Sequence, residues 1–133
     1  TDVVVAKEIA PHQRRMTVSV DDVAGDELIL DIGHDSIRTA VEVLSTAKTV
    51  VWNGTLGYAE LPQFSHGSAR VALTLASHPE ITSVIGGGDT ADFVLGWDAK
   101  KGGSFSHVST GGGASLDLMA GAPMPGIEAL LDA

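Results

Sequence analysis

The sequence predicts an α/β protein built on a three-layer, mostly parallel Rossmann-like sheet. Three observations lead to this prediction. Short runs rich in β-branched residues alternate along the chain with stretches of helical periodicity. Two of these runs end in a glycine triplet, at residues 86–88 and 111–113, and each triplet precedes a helix-like stretch. The length of 133 residues fits about one ordinary domain, so residues 1–133 are treated as a single segment.

The first part of the chain predicts three strands. Residues 3–6 form a continuous β-branched run, as expected for a strand that is buried on both faces. Residues 7–15 are polar, contain Pro11 and predict a loop. Residues 16–20 alternate between apolar and polar side chains and predict a half-exposed strand. A third extended piece follows at residues 27–33.

The middle of the chain predicts two helices around a strand. The first helix has Asp35 or Ser36 as a candidate N-cap. Its apolar stripe consists of Ile37, Ala40, Val41, Leu44 and Ala47. A buried strand at residues 49–52 ends at an Asn-Gly pair, and residues 55–66 predict a loop. The second helix covers residues 68–77, with an apolar face made of Ala69, Ala72, Leu73 and Ala76.

The last part of the chain contains both triplets. A strand at residues 81–85 leads into the first triplet and a helix over residues 90–97. A glycine-containing turn then precedes a strand at residues 105–109, the second triplet and a short helix that ends near Met119. Two prolines interrupt the chain before a final helical turn at residues 127–131. In parallel sheets, ligands bind beyond the carboxyl ends of the strands, which is where both triplets lie.

Each triplet has the features of an anion site. Glycine allows the backbone to approach a ligand closely, and the start of the following helix presents free N–H groups and a positive dipole end. Asp89 and Thr90 directly follow the first triplet. This combination predicts a polyphosphate bound together with a metal ion.

The composition excludes several classes of function. Acidic residues outnumber basic ones by 17 to 8, which gives a net charge of −9 and argues against nucleic-acid binding. No apolar run approaches the ~20 residues of a membrane span, so no membrane partner is expected. The chain has no cysteine, which excludes disulfides and thiolate metal sites and fits a reducing compartment. We therefore expect a cytoplasmic protein. The absence of an initiator Met suggests a piece of a longer chain or a processed one.

Several segments together resemble one known family. The sequence is similar to the carboxyl-terminal part of the nucleotide-binding lobe of phosphoglycerate kinase, and the order and spacing of the matching residues fit. They are residues 51–54, Gly57, Glu60, residues 86–90, residues 106–116 and residues 125–130. The likeness extends weakly towards the start of the chain and covers nearly all of it.

The resemblance implies a two-lobed glycolytic kinase that transfers a phosphoryl group between 1,3-bisphosphoglycerate and Mg-ADP, giving 3-phosphoglycerate and ATP. The implied cofactor is Mg²⁺ with ADP or ATP, and Asp89 would hold the ion. By the same likeness the second triplet would contact the transferred phosphoryl group through Gly111, Gly112 and Gly113. The remaining nucleotide contacts would be Leu30, Leu56 and Tyr58 around adenine, Glu60 at the ribose, and Asn53, Gly87, Gly88 and Thr90 near the phosphates.

The chain also departs from the family pattern. Thr55 and His34 replace prolines, and Ile29 replaces a glycine beside the adenine, where a branched side chain would narrow the base pocket. The amino-terminal substrate domain, which would bind phosphoglycerate, and the lysines that the family places on the phosphates are absent. We therefore expect no kinase activity from this chain alone. The full enzyme is expected to be a monomer, whereas the fragment is expected to self-associate because the strand at residues 3–6 would lose its partners.

Other interpretations of the same residues stay open. The triplets can be tight turns, Asp89 can be an N-cap only, and Glu60 can be a solvated loop residue. His107 is expected to be a hydrogen-bonded histidine inside a buried strand. A non-catalytic nucleotide-binding or interaction module is the main alternative function. A dinucleotide-dependent oxidoreductase is disfavoured because neither triplet has the G-x-G-x-x-G spacing.

Overall fold

The computed structural model describes residues 1–131, and the predicted strands and helices are all found there with small changes in their limits. The strands are β1 (Asp2–Ala6), β2 (Met16–Ser19), β3 (Leu28–Ile32), β4 (Thr49–Asn53), β5 (Thr82–Gly86) and β6 (His107–Val108). The helices are α1 (His34–Thr46), α2 (His66–Ser77), α3 (Gly88–Trp97), α4 (Gly113–Met119) and α5 (Pro125–Leu131). Within residues 1–131, no helix is both long and apolar enough to cross a membrane.

The carboxyl-terminal half contains the predicted parallel sheet. Its order is β4-β5-β6, and all pairings are parallel. Since each crossover carries a helix, the alternation of strand and helix in the sequence is confirmed as an α/β architecture. The main core lies between this sheet and its helices and is formed by Trp52, Val71, Ala72, Leu75, Ile81, Ile85, Val94 and Phe105.

The first three strands form a separate antiparallel sheet with the order β2-β1-β3. The segments that join these strands contain no α-helix, and short connections without a crossover helix favour antiparallel pairing. The expectation of a single, mostly parallel sheet therefore holds for β4–β6 only. Because β1 has a partner on each side, the expectation that residues 3–6 lose their partners is wrong.

The start of α1 also differs from the prediction. Gly33 is the N-cap residue, and neither Asp35 nor Ser36 caps the helix. Instead, the carboxylate of Asp2 accepts hydrogen bonds from the backbone N–H groups of Asp35 (3.1 Å) and Ser36 (2.8 Å). A side chain from the neighbouring sheet thus satisfies the free donors of this helix. The predicted apolar stripe of α1 is buried or half-buried, as expected.

The buried face of α2 is rotated from the predicted one. Leu73 is 45 % exposed, whereas Val71, Ala72 and Leu75 are buried. The helix begins at His66, and Gly67 and Ser68 in its first turn pack against the end of β3 and the loop after β4. These contacts fix the rotation of the helix about its axis. As a result, the face that includes Val71 and Leu75 packs against the parallel sheet.

The turn between α3 and β6 is organised by Asp98. This buried carboxylate accepts hydrogen bonds from the N–H groups of Lys100 (3.0 Å), Gly102 (3.0 Å) and Ser104 (3.1 Å), and from the Ser104 hydroxyl (2.9 Å). The turn directs the chain into β6 and therefore helps to place the second triplet. Strand β6 is shorter than predicted, and His107 is exposed on it, so the expectation of a buried histidine is wrong.

Asp98 predicts a specific response to acid. Burial raises the pKa of its carboxyl, but the hydrogen bonds from Lys100, Ser104 and Gly102 outweigh burial and hold the pKa below the usual 3.8. An acid with a depressed pKa stabilises the fold above its unfolded pKa, and this stability is lost as the pH falls through its folded pKa. We expect the free energy of unfolding to fall with pH below 3.8, and less steeply in Asp98→Asn.

Urea unfolding at several pH values between about 5 and 2 measures this slope. Asp117→Asn is the matched control, because Asp117 lies on the exposed side of α4. The control is expected to retain the wild-type slope. Identical slopes for the wild type and Asp98→Asn would contradict the assignment.

Candidate functional site

The two triplets meet at one edge of the parallel sheet, as the sequence predicts. In the strand register Asn53 lies beside Gly86, and Ile85 lies beside Val108. A Cβ atom on Gly86 would lie 3.9 Å from Asn53 Cγ and 4.0 Å from Ser115 Cβ. The end of β4, the first triplet and the helix after the second triplet therefore share one short stretch of the sheet edge.

The first triplet forms the tight entry into α3. Gly87 is the N-cap residue, with φ +88°, and a Cβ atom there would overlap Asn53 Oδ1. The first helical hydrogen bond runs from the N–H of Ala91 to the carbonyl of Gly87 (3.0 Å). Within residues 1–131, the N–H groups of Gly88 and Asp89 therefore have no helical acceptor, and both residues are exposed. They are suitable donors for an anion.

Thr90 joins this helix start to the loop after β4. Thr90 is 1 % exposed, and its hydroxyl oxygen accepts a hydrogen bond from the N–H of Gly54 (2.8 Å). The side chain thus connects the two elements that form the site. The phosphate contact expected for Thr90 stays a prediction.

A cleft of about 250 Å³ opens beside the start of α3. Glu60, Asp89 and Asp92 line it together with Thr55, Ala59 and Phe93, and no basic side chain does. The Asp89 carboxylate is exposed at the first turn of α3. Such a cleft repels phosphate groups unless a cation accompanies them.

Residues 1–131 contain no group of three or more His, Cys, Asp or Glu side chains close enough to hold a metal ion. A divalent cation at Asp89 would therefore take at most two carboxylates from the protein and its other ligands from phosphate oxygens and water. This is the usual arrangement for Mg²⁺ that arrives with a nucleotide. The donor set around Asp89 fits that role.

One N–H group of the second triplet is already hydrogen-bonded within its own loop. The N–H of Gly111 donates to Ser109 Oγ (3.2 Å), and Ser109 Oγ lies 2.8 Å from Ser115 Oγ. Gly112, with φ +58°, is the N-cap residue of α4, and Gly113 is its first residue. Of the three predicted donors, Gly112 and Gly113 are the ones whose N–H groups have no acceptor within the described part of the chain.

The residues expected around adenine differ in how far they are buried. Leu30 is only 6 % exposed and packs in the core of the antiparallel sheet, and its carbonyl accepts from the N–H of Tyr58 (2.8 Å). Leu56 is half-buried against the main core, and Tyr58 is 40 % exposed. Ile29 is 58 % exposed and does not line the acidic cleft. Of the three predicted adenine contacts, Leu56 and Tyr58 therefore have accessible side chains and Leu30 does not.

Two buried polar residues near the site were not identified from the sequence. Ser68 is fully buried and bonds to both backbone groups of Leu56. Asp31 accepts from the N–H groups of Gly67 (3.1 Å) and Ile32 (2.8 Å), and burial raises the pKa of its carboxyl while these hydrogen bonds oppose the rise. An acidic residue inside the apolar strand β3 was the available signal for Asp31, because unpaired acids are rarely buried. No comparable signal in the sequence pointed to Ser68.

Comparison with known proteins gives a consistent result. The family described as Phosphoglycerate kinase matches residues 1–122. The chain is 48 % identical over 131 residues to Phosphoglycerate kinase of Pelotomaculum thermopropionicum, covering 98 % of this chain and 33 % of that protein. It is 47 % identical over 132 residues to the protein of the same name from Sphingopyxis alaskensis, covering 97 % and 33 %. The chain thus spans about a third of the length of these relatives.

Solved structures agree with the sequence comparison. The fold superimposes on phosphoglycerate kinase from Coxiella burnetii with a TM-score of 0.85 and 33 % identity, covering 96 % of this chain and 32 % of that chain. Phosphoglycerate kinase from Pyrococcus horikoshii OT3 matches with a TM-score of 0.78 and 28 % identity, covering 98 % and 31 %. The similarity therefore includes both sheets as well as the sequence motifs.

Proposed function

The chain belongs to the phosphoglycerate kinase family, and from this premise we propose that it supplies the phosphate-binding part of a nucleotide site. The reaction would be phosphoryl transfer between 1,3-bisphosphoglycerate and Mg-ADP, giving 3-phosphoglycerate and ATP. The rest of the enzyme would bind phosphoglycerate, so this chain alone would not turn over. The cytoplasm is the proposed location.

The observation that carries this proposal is the acidic cleft beside N–H groups that have no helical acceptor. Gly88 and Asp89 present backbone N–H groups at the start of α3, and Asp89, Asp92 and Glu60 line the adjoining cleft. Phosphoryl transfer depends mainly on positioning and on neutralising the charge of the phosphate oxygens. Donors fixed by a helix start and a carboxylate free to hold Mg²⁺ are suited to both tasks.

The proposed roles follow the positions of the residues. Asp89 would coordinate Mg²⁺, and Gly87, Gly88, Thr90 and Asn53 would surround the nucleotide phosphates. Gly112 and Gly113 would donate to the transferred phosphoryl group, with Gly111 holding the loop through Ser109. Glu60 would contact the ribose. Leu56 and Tyr58 would contact adenine. Leu30 would help to position Tyr58, because its carbonyl accepts a hydrogen bond from the Tyr58 N–H.

Titration calorimetry with ADP, in the presence and absence of Mg²⁺, tests the proposal. We expect binding only with Mg²⁺, because three carboxylates face the cleft and no basic side chain lines it. AMP, which lacks the β-phosphate, is expected to bind more weakly than ADP under the same conditions. Equal affinity for ADP after chelation of Mg²⁺ would contradict the proposed metal role, and no binding at millimolar ADP would contradict a site formed by this chain alone.

A non-catalytic nucleotide-binding module remains the alternative. It predicts the same Mg-ADP binding, so calorimetry does not separate it from the enzyme. The separating measurement is phosphoryl transfer after the chain is joined to the substrate domain and the rest of the nucleotide lobe of a relative. Turnover in this fusion supports the enzyme, whereas binding without turnover supports the module.

We also propose that this chain self-associates through the free edge of β4. Within residues 1–131, β4 pairs with β5 only, and Val51 (46 %) and Val43 (64 %) are exposed beside that edge. An apolar groove of about 550 Å³ adjoins it, lined by Thr1, Ser36, Thr39, Ala40, Val43, Leu44, Val50, Val51, Trp52, Leu56 and Val71. Unpaired apolar edges are sites of strand addition.

Sedimentation velocity over a range of concentrations tests this self-association. We expect the average mass to rise with concentration for the wild type. Val51→Lys is expected to shift the equilibrium towards monomer, because a charged edge residue opposes strand addition. Leu73→Lys, at an exposed site on α2, is the control and should behave as the wild type. A monomer mass at all concentrations would contradict the proposal.

A further inference from the structure

The loop after β4, here called the nucleoside loop (residues 54–60), is held by hydrogen bonds to other elements. It has no helix or strand of its own. It carries Leu56, Tyr58 and Glu60, the residues proposed to contact the nucleoside. Irregular backbone next to a core needs partners for its polar groups, and the source of those partners determines whether the loop has a defined shape before a ligand binds.

Ser68 satisfies both backbone groups of Leu56. The Leu56 N–H donates to Ser68 Oγ (2.9 Å), and the Ser68 hydroxyl donates to the Leu56 carbonyl (2.9 Å). Ser68 is 0 % exposed, so water does not compete for these bonds. A single hydroxyl on α2 thus fixes the peptide groups on both sides of the Leu56 Cα.

Three further contacts hold the loop on either side of Leu56. The Trp52 indole Nε1–H donates to the carbonyl of Gly54 (2.7 Å), and the N–H of Gly54 donates to Thr90 Oγ1 (2.8 Å). The N–H of Tyr58 donates to the carbonyl of Leu30 (2.8 Å). The loop is therefore held at three residues: Gly54 by β4 and α3, Leu56 by Ser68 of α2, and Tyr58 by β3.

We propose that Ser68 is a positioning residue for nucleotide binding, which forms the nucleoside loop before the nucleotide arrives. This inference rests on the proposed function for the identity of the ligand. A loop that is already ordered does not lose conformational freedom on binding, and preorganisation of this kind raises affinity. The phosphate end of the site depends on α3 instead and should not require Ser68.

The first experiment compares Ser68→Ala with Thr74→Val. Thr74 lies on the same helix and is 6 % exposed, but its hydroxyl donates to the carbonyl of Arg70 within α2 (2.8 Å). We expect the Kd for Mg-ADP to rise about tenfold in Ser68→Ala and to stay unchanged in Thr74→Val. Binding of magnesium pyrophosphate, which probes the phosphate end alone, is expected to be unchanged in both variants.

Two results would overturn the proposal. One is the same Kd for Mg-ADP in Ser68→Ala and in Thr74→Val. The other is an equal loss of ADP and pyrophosphate affinity in Ser68→Ala, since that would reflect general damage to the fold. If the wild type binds neither ligand, a nucleotide site formed by this chain alone is ruled out, and the positioning role is then decided by hydrogen exchange on the unaltered chain.

Amide hydrogen exchange without nucleotide provides this second measurement. We expect the Leu56 and Gly54 amides of the wild type to be protected, because both N–H groups donate to buried hydroxyls. In Ser68→Ala, Leu56 should lose protection while Gly54 keeps it through Thr90. Exchange of the wild-type Leu56 amide at the rate of an unstructured peptide would overturn the proposal, whether or not the variant folds.

Discussion

Asp89→Asn is expected to weaken Mg²⁺-dependent binding of ADP strongly while changing the stability of the protein little. The Asp89 carboxylate is exposed in the cleft. Asparagine keeps the size of the side chain and removes the negative charge that a hard cation requires. The affinity for Mg-ADP should fall by more than about tenfold, since even outer-shell partners of a bound metal typically contribute about 10- to 100-fold.

Asp92→Asn is the matched control for this experiment. Asp92 lies on the same helix and lines the same cleft, one turn beyond the helix start. Removing its charge reduces the repulsion of phosphates without removing the metal ligand, so the affinity for Mg-ADP should stay the same or rise. Calorimetry measures both affinities, and urea unfolding measures both stabilities. Equal losses of affinity in the two variants would assign the effect to the charge of the cleft and not to coordination by Asp89.

The features predicted correctly from the sequence are those that depend on neighbouring residues. Strand and helix periods, the two triplets and the order of the elements can all be read within windows of a few residues. The triplets and Asn53 meet at one sheet edge because parallel strands align their carboxyl ends. The family resemblance added the roles of individual residues, which spacing alone does not give.

The features that were missed depend on contacts between distant parts of the chain. The partner of the α1 start is Asp2, which lies 33 positions before Asp35 in the sequence. The rotation of α2 is set by Gly67 and Ser68 against β3 and the nucleoside loop, and the hydrophobic pattern of the helix does not contain this information. The pairing of β1 with β2 and β3 likewise depends on residues far away in the sequence. The prediction that β1 would lack partners was therefore wrong.

Gly87→Ala is expected to destabilise the protein and to eliminate nucleotide binding. Gly87 has φ +88° and ψ 146°, a backbone conformation that is essentially restricted to glycine. A methyl group there would also overlap Asn53 Oδ1. The strained backbone alone costs about 1–3 kcal/mol, and relief of the overlap would move Asn53 or the start of α3. Either movement displaces the N–H donors and Asp89 from the positions proposed for phosphate and Mg²⁺.

Gly88→Ala is the control for this prediction. It shows whether the protein needs glycine specifically at position 87, because of its backbone conformation, or needs every glycine of the triplet. Gly88 is the first residue of α3, and a Cβ atom there would meet nothing within 4 Å. Alanine at a compatible position typically stabilises a protein by about 0.4–1 kcal/mol, because it restricts the unfolded chain. We therefore expect Gly88→Ala to retain or slightly raise the free energy of unfolding in urea, while Gly87→Ala lowers it. If Gly87→Ala bound Mg-ADP with wild-type affinity, the site would not depend on the tight entry into α3, and the donors at that helix start would not be the phosphate contacts.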